Sequence, residues 1–192
     1  WTNSMFSGMP TYQIEKLPLG WTPFDFLRKA VGLFMNPMLS FFIAMSLLCF
    51  ISLLLLGVHP WLAGIGAFAY TFTSGHFVIA ATGHYTKLDS LVYLPMILSG
   101  FHLIFYHQRI IGFILFTTGL LFNIQANHIQ MTYYIFIVLA IYGLVELIRN
   151  SKASTIKSYL LSGVFVIAAV LLAILGNIAH LYTMKDYAEE TV

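Results

Sequence analysis

Charge is scarce in this sequence: Asp, Glu, Lys and Arg make up 8% of the 192 residues, against 59% apolar ones, where soluble domains carry about 25% charged residues. That deficit, with a mean hydropathy of +0.86, argues against a water-soluble fold. The basic residues form no run and the formal net charge is only +2, which gives no footing for a nucleic-acid partner. The single cysteine, Cys49, lies inside an apolar stretch, so no internal disulfide can form. Gly-x-Ser-x-Gly, Gly-Lys-Ser/Thr, Gly-x-Gly-x-x-Gly and His-Glu-x-x-His are all missing, which removes support for soluble nucleotide chemistry and for a tight zinc motif. No cofactor is identified, and nothing in the sequence argues for a divalent cation.

What is present is a series of apolar stretches close to 20 residues long, the length that crosses a hydrocarbon core about 30 Å thick. The alternating segments of about 10 residues typical of a membrane β-barrel are absent. The fold class expected is all-α, a polytopic transmembrane bundle of six spans. They run Met38–Gly57, Leu62–Thr82, Ser90–Tyr106, two spans within Ile110–Ile148, and Tyr159–Tyr182. The fourth and fifth are expected to meet near Gln125-Ala-Asn-His-Ile-Gln130, the polar cluster able to turn them. Residues 1–37, with Pro10, Pro18, Pro23 and Pro37, read as a loop bearing short helices. One of these, around Phe24 to Leu33 with Arg28 and Lys29, has the mixture that floats on a bilayer surface. Residues 185–192 are expected to begin another loop. The chain opens on Trp1-Thr-Asn-Ser, unlike a signal peptide, and is expected to be part of a larger protein.

Basic residues fall almost evenly on the two sides of this topology, so their count does not orient it. Arg149, Lys152 and Lys157 form the most compact cluster near span ends, and that side is taken as cytoplasmic. Both ends of the chain then lie outside, as do three polar segments. These are Gly83-His-Tyr-Thr-Lys-Leu-Asp89, Gln125 to Gln130 with Tyr133 and Tyr134, and Asn177 with His180 and Tyr182. Polar groups at membrane depth are costly unless paired or in a wet cavity, so their convergence on one face is informative.

His84 and Lys87 could hold a phosphate, with Asp89 tuning the lysine or acting as a base. A Lys87–Asp89 surface pair explains the same residues without function. Asn123, Asn127, Gln130 and Tyr134 recur at intervals of four, three and four, and share one stripe if a helix continues through the turn. These amides either join helices or, for Asn127, His128 and Gln130 at a span end, line a site. His84, His128 and His180 are the histidines from which a metal site could be drawn. His76 and His102 read as packing residues, and His59 and His107 as interfacial ones.

Trp1-Thr-Asn-Ser-Met-Phe-Ser-Gly-Met-Pro-Thr-Tyr12, Gly83-His-Tyr-Thr-Lys87 and Gln125-Ala-Asn-His-Ile-Gln-Met-Thr-Tyr-Tyr134 together resemble the YfhO family of bacterial polytopic membrane proteins. That family is similar to the GT-C membrane glycosyltransferases. The resemblance implies transfer of a sugar from a polyprenyl-phosphate carrier to a glycan or envelope-polymer acceptor. The site would lie at the extracytoplasmic face of the bacterial cytoplasmic membrane. It further implies that His84, Lys87 and His128 contact the carrier phosphate or sugar, and that Asn127 and Gln130 orient substrate. GT-C enzymes usually carry their catalytic acidic residue early in the first large outer loop, and no residue of this chain is assigned that role. A transporter or flippase and a noncatalytic membrane scaffold are the alternatives.

Overall fold

The computed structural model describes residues 37–106, 108–149 and 153–190. The expected loop over residues 1–36, including its interfacial helix and the Trp1–Tyr12 segment, lies outside the described residues, as do His107 and Lys152. Within them the chain is helical throughout, in nine helices: α1 Pro37–Leu55, α2 Pro60–Thr71, α3 Ser74–Ala81, α4 Tyr85–Val92, α5 Leu94–Phe105, α6 Arg109–Gln125, α7 Ile129–Arg149, α8 Ala153–Gly176 and α9 Ile178–Glu190. Five helical runs are long and apolar enough to cross a membrane, two of them made of paired helices, α2 with α3 and α4 with α5. The sixth, α6, has 17 residues and reaches about 26 Å at 1.5 Å per residue. The protein is an all-α, multi-pass membrane bundle.

The paired helices differ from the unbroken spans expected, and each break has a local cause. Pro95 stands in the first turn of α5. Lacking an N–H, it cannot bond the carbonyl four residues back, Leu91 O, and its ring crowds that carbonyl. Tyr70 Oη donates to Leu91 O at 2.7 Å, and Asn123 Nδ2 donates to the neighbouring Ser90 O at 2.9 Å. Two other helices thus supply the bonds that the break removes. In the second span the chain breaks at Phe72 and Thr73. There Thr73 Oγ1 bonds Ala69 O and Tyr70 O at 2.9 and 3.0 Å, and His76 Nδ1 lies 3.2 Å from Thr71 O. The carbonyls freed at that helix end are therefore satisfied.

The third span is the centre of the bundle. Of Tyr85–Phe105, 72% is buried, against 17–39% in the other long spans. Its closest partner is α6, and glycine allows the approach. A Cβ on Gly100 would lie 2.5 Å from Phe116 N, and one on Gly112 would lie 2.6 Å from Ile104 N. Gly119 faces Ile97 in the same way. Phe116, Ile97, Ile104 and Leu120 fill the spaces between, all fully buried. Small residues that let helix backbones touch are the usual device of membrane bundles, where apolar burial does not drive helices together.

At one end of the bundle two arginines are held by side chains of neighbouring helices and turns. Glu146, buried on α7, accepts from Arg149 at 3.3 Å and from the Oη of Tyr106, just after α5, at 3.1 Å. Arg149 also reaches Tyr106 at 3.0 Å, and His102 bonds Tyr142. Arg109 bonds the Ser158 and Ser162 hydroxyls of α8 at 2.5 and 3.3 Å. The polar segment from Lys185, expected as a loop, continues as helix to Glu190.

Gly112→Ala should lower thermal stability in detergent by about 1–3 kcal/mol, because its methyl group meets backbone rather than a side chain that can swing away. Gly163→Ala on α8, where a Cβ meets nothing within 4 Å, should instead be neutral or gain about 0.4–1 kcal/mol.

Candidate functional site

The site lies at the other end of the bundle, where the α3–α4, α6–α7 and α8–α9 connections gather. Two of these connections stop their helices in the same manner. Gly83 follows α3 with φ +76; its N–H bonds Ala80 O and the His84 N–H bonds Ile79 O, both at 3.1 Å. This is the glycine-terminated double bond that closes many helices. Asn127 follows α6 with φ 59, and its N–H bonds Ile124 O at 3.1 Å. Asparagine is among the few non-glycine residues that tolerate this left-handed conformation. Each stop is followed at once by a histidine, His84 in the first case and His128 in the second.

This geometry divides the expected residues. The helix does not continue through 126–128, so Asn123, Asn127, Gln130 and Tyr134 share no single stripe. Asn123 is completely buried. Gln130, by contrast, is exposed and bonds exposed Tyr134 at 2.6 Å. Asn127 has a backbone duty in stopping α6. The Gly83–Asp89 segment, expected outside the bilayer, is largely the start of α4, and its residues diverge: His84 is exposed, Lys87 half-buried and Asp89 only 2% exposed. An exposed Lys87–Asp89 pair is therefore excluded. His76 and His102 each have a hydrogen-bond partner, as packing residues do.

Asn123 is the joint that aligns what remains. Its Nδ2 donates to Ser90 O of α4, and its Oδ1 accepts from Thr132 Oγ1 of α7 at 2.8 Å. Lys87 lies one turn before Ser90 on α4, and His128 lies just before the first turn of α7, four residues ahead of Thr132. Fixing Ser90 against Thr132 therefore fixes the lysine's helix against the histidine. Burial first, and then electrostatic interaction with Lys87 and His84, hold the His128 imidazole below the usual histidine range. His84, Lys87 and His128 form one electrostatic group. Lys87 has no carboxylate partner among the described residues.

His128 Nε2 is enclosed and has no hydrogen-bond partner among the described residues, and His180 Nε2 on α9 shares that condition. Asn177, where α8 gives way to α9, donates to Leu121 O at 3.0 Å and Ala173 O at 2.9 Å, so its role is to join α8 to α6. Among the described residues no three His, Cys, Asp or Glu side chains are arranged to hold a metal ion. The histidines at 84, 128 and 180 are thus not assembled as ligands. Sequence reasoning missed Tyr70, Ser90 and Thr132. Pro95 was the available signal, since a proline inside a buried span demands donors from its neighbours.

No protein-family profile, curated protein or solved structure matches the chain.

Two outcomes follow. Because the His128 pKa is lower in the folded protein than in the unfolded chain, the unfolded state binds more protons between the two values. Its contribution to stability is complete above the ordinary histidine value near 6.5, and falls away as pH drops toward the lowered folded value. Thermal melts from pH 7.5 to 5 should show this loss, and His128→Gln should flatten it. Asn123→Ala should cost about 1–3 kcal/mol in the same assay, because Ser90 O loses its side-chain donor while Thr132 Oγ1 loses its acceptor.

Proposed function

We propose that the chain is part of a membrane glycosyltransferase of the GT-C kind, passing a sugar from a polyprenyl-phosphate carrier to a cell-envelope acceptor. The observation that carries this reading is the gathering of His84, Lys87 and His128 at one end of the bundle, where Lys87 has no acidic partner among the described residues. A departing lipid phosphate needs positive charge and hydrogen-bond donors aimed at its oxygens. A half-buried ammonium interacts more strongly with an anion than one surrounded by water. His84, on its rigid stop, adds a second polar contact. Gln130 and Tyr134, exposed and bonded to one another, suit the hydroxyls of a sugar. Asp89 is buried too deeply to meet the carrier, and we place it in support of α4. The resemblance to the YfhO family supports the same assignment.

Under this reading the site faces the extracytoplasmic side of a bacterial cytoplasmic membrane. The opposite end carries the compact basic cluster near helix ends that includes Arg149 and Lys157, and that end is taken as cytoplasmic. A transporter or flippase is favoured by one separate feature, the paired breaks in the second and third spans, since discontinuous helices line many substrate pathways. The breaks found here have their carbonyls satisfied by side chains, which suits a static core better than a passage.

Full-length protein in proteoliposomes should transfer sugar from a polyprenyl-phosphate donor, and Lys87→Ala should lower kcat/KM at least tenfold. Carrier crossing the bilayer with no transfer would favour the flippase, and neither activity would leave the scaffold. With Cys49 replaced, single cysteines at positions 87 and 127 should label from outside and one at 153 should not.

A further inference from the structure

A guanidinium cannot lose its charge, so an arginine at the end of a membrane helix needs an anion or water around it. Arg109 opens α6, the end of a helix where a cation is least favoured, and the first turn holds no acid to offset it. The side chain is half-buried and lies on α8. Its Nε donates to Ser162 Oγ, and its Nη2 donates to Ser158 Oγ and, at 3.4 Å, to Ser158 O. All three acceptors are neutral. They fix the orientation of the guanidinium, leave its charge uncompensated and leave Nη1 without a partner among the described residues. Glu146, the acid at this end, is engaged by Arg149 and Tyr106, and no carboxylate among the described residues pairs with Arg109.

The surroundings of Arg109 follow from helix geometry. α6 and α8 run side by side in the same direction: Arg109 meets Ser158 and Ser162, Phe113 meets Phe165, and Leu121 packs over Gly176. On α6, Gly112 and Phe116 face α5 while Arg109 and Phe113 face α8. Ile110 and Ile114 therefore fall on the outer flank of the seam, and both are exposed. On α8, Tyr159 marks the inner flank, since its Oη donates to Gly143 O of α7 at 3.0 Å. Lys157, Leu161 and Val164 take the opposite flank, and all three are exposed. The outer seam thus has two cations, Arg109 and Lys157, at its membrane end and aliphatic walls below them. We propose that this seam binds an anionic phospholipid, with its phosphate on Arg109 and Lys157 and its acyl chains along Ile110, Ile114, Leu161 and Val164. A planar guanidinium matches phosphate oxygens in pairs, and a lysine adds a point charge. Basic sites between membrane helices are suited to anionic headgroups, whereas choline or ethanolamine would bring a further positive charge to two cations. The aliphatic walls favour a lipid over free phosphate. The bound lipid would reinforce the attachment of α8, only 17% of whose spanning window is buried. The site is at the opposite end from His84, Lys87 and His128, and does not depend on the reaction proposed there.

The test is lipid retention by the full-length protein in detergent, read by native mass spectrometry with phosphatidylglycerol or phosphatidylcholine of identical chains. Wild type should hold phosphatidylglycerol roughly tenfold more tightly, the scale of a charge-assisted contact to phosphate. Phosphatidylglycerol should also raise Tm, and inorganic phosphate should not. Arg109→Gln should lose most of the preference, and Arg109→Lys should keep part of it, because charge remains without the planar fork. Lys157 is exposed and bonds no described residue, so Lys157→Gln leaves the fold intact and should weaken retention by a smaller factor. It decides the matter where Arg109→Gln fails to fold. In wild type, phosphatidylglycerol with a diazirine in its acyl chain should label the segments 110–114 and 161–164, in competition with unlabelled phosphatidylglycerol. Equal retention of the two lipids by wild type would overturn the proposal, as would full preference in a folded Arg109→Gln. An equal rise in Tm with inorganic phosphate would show a free-anion site and overturn the lipid assignment. Labelling confined to other helices would do the same.

Discussion

The contact between α5 and α6 decides where everything else in the bundle can go. Within a bilayer the surroundings are as apolar as the side chains, so helices gain little by hiding leucine from lipid and much by close backbone packing. Gly100, Gly112 and Gly119 let these two helices meet at backbone distance, with Phe116 closing the seam. The third span is thereby drawn inside, and α7 and α8 remain at the periphery with broad apolar faces such as Ile141, Ile148, Val164 and Ile167. A polar residue on α4 or α6 then meets protein, which is why Ser90, Asp89 and Asn123 can be buried.

A buried proline completes the chain of causes. Pro95 interrupts the span that is most enclosed, so water cannot satisfy the carbonyls it frees. The donors must be Tyr70 and Asn123. Asn123 has a second end, and that end holds Thr132, close after His128. The repair of a broken helix in the core thus also determines how the α3–α4 and α6–α7 connections stand relative to each other. Part of the candidate site's geometry thus follows from a core constraint.

This hierarchy explains what could be read from residues alone. Six apolar segments and their approximate ends were legible because span length and loop polarity are properties of consecutive residues. The turn at Gln125–Gln130 was legible for the same reason. The breaks were not, because Pro95 and Thr73 sit in stretches whose hydropathy alone is continuous. Asp89 looked like an exposed partner for Lys87 because they are two residues apart, yet α4 turns one toward the core and leaves the other half-buried. Asn123 and Asn127 looked alike in sequence. One became a tie between three helices and the other a left-handed stop, a difference set by φ and by what packs nearby.

The two ends of the bundle treat charge differently. At the end with Arg109 and Arg149, each guanidinium is bonded within the chain, to Ser158 and Ser162 in one case and to Glu146 and Tyr106 in the other. Breaking such pairs leaves an uncompensated partner, so their chief effect is to hold helices in place. At the other end the arrangement keeps positive character without an internal counterpart among the described residues. Lys87 lacks a carboxylate, and the nearby imidazole of His128 is held neutral. A protein that needed only to fasten helices there could place an acid beside Lys87, and Asp89 is near enough in sequence to have served. Turning Asp89 inward instead separates the acid from the lysine.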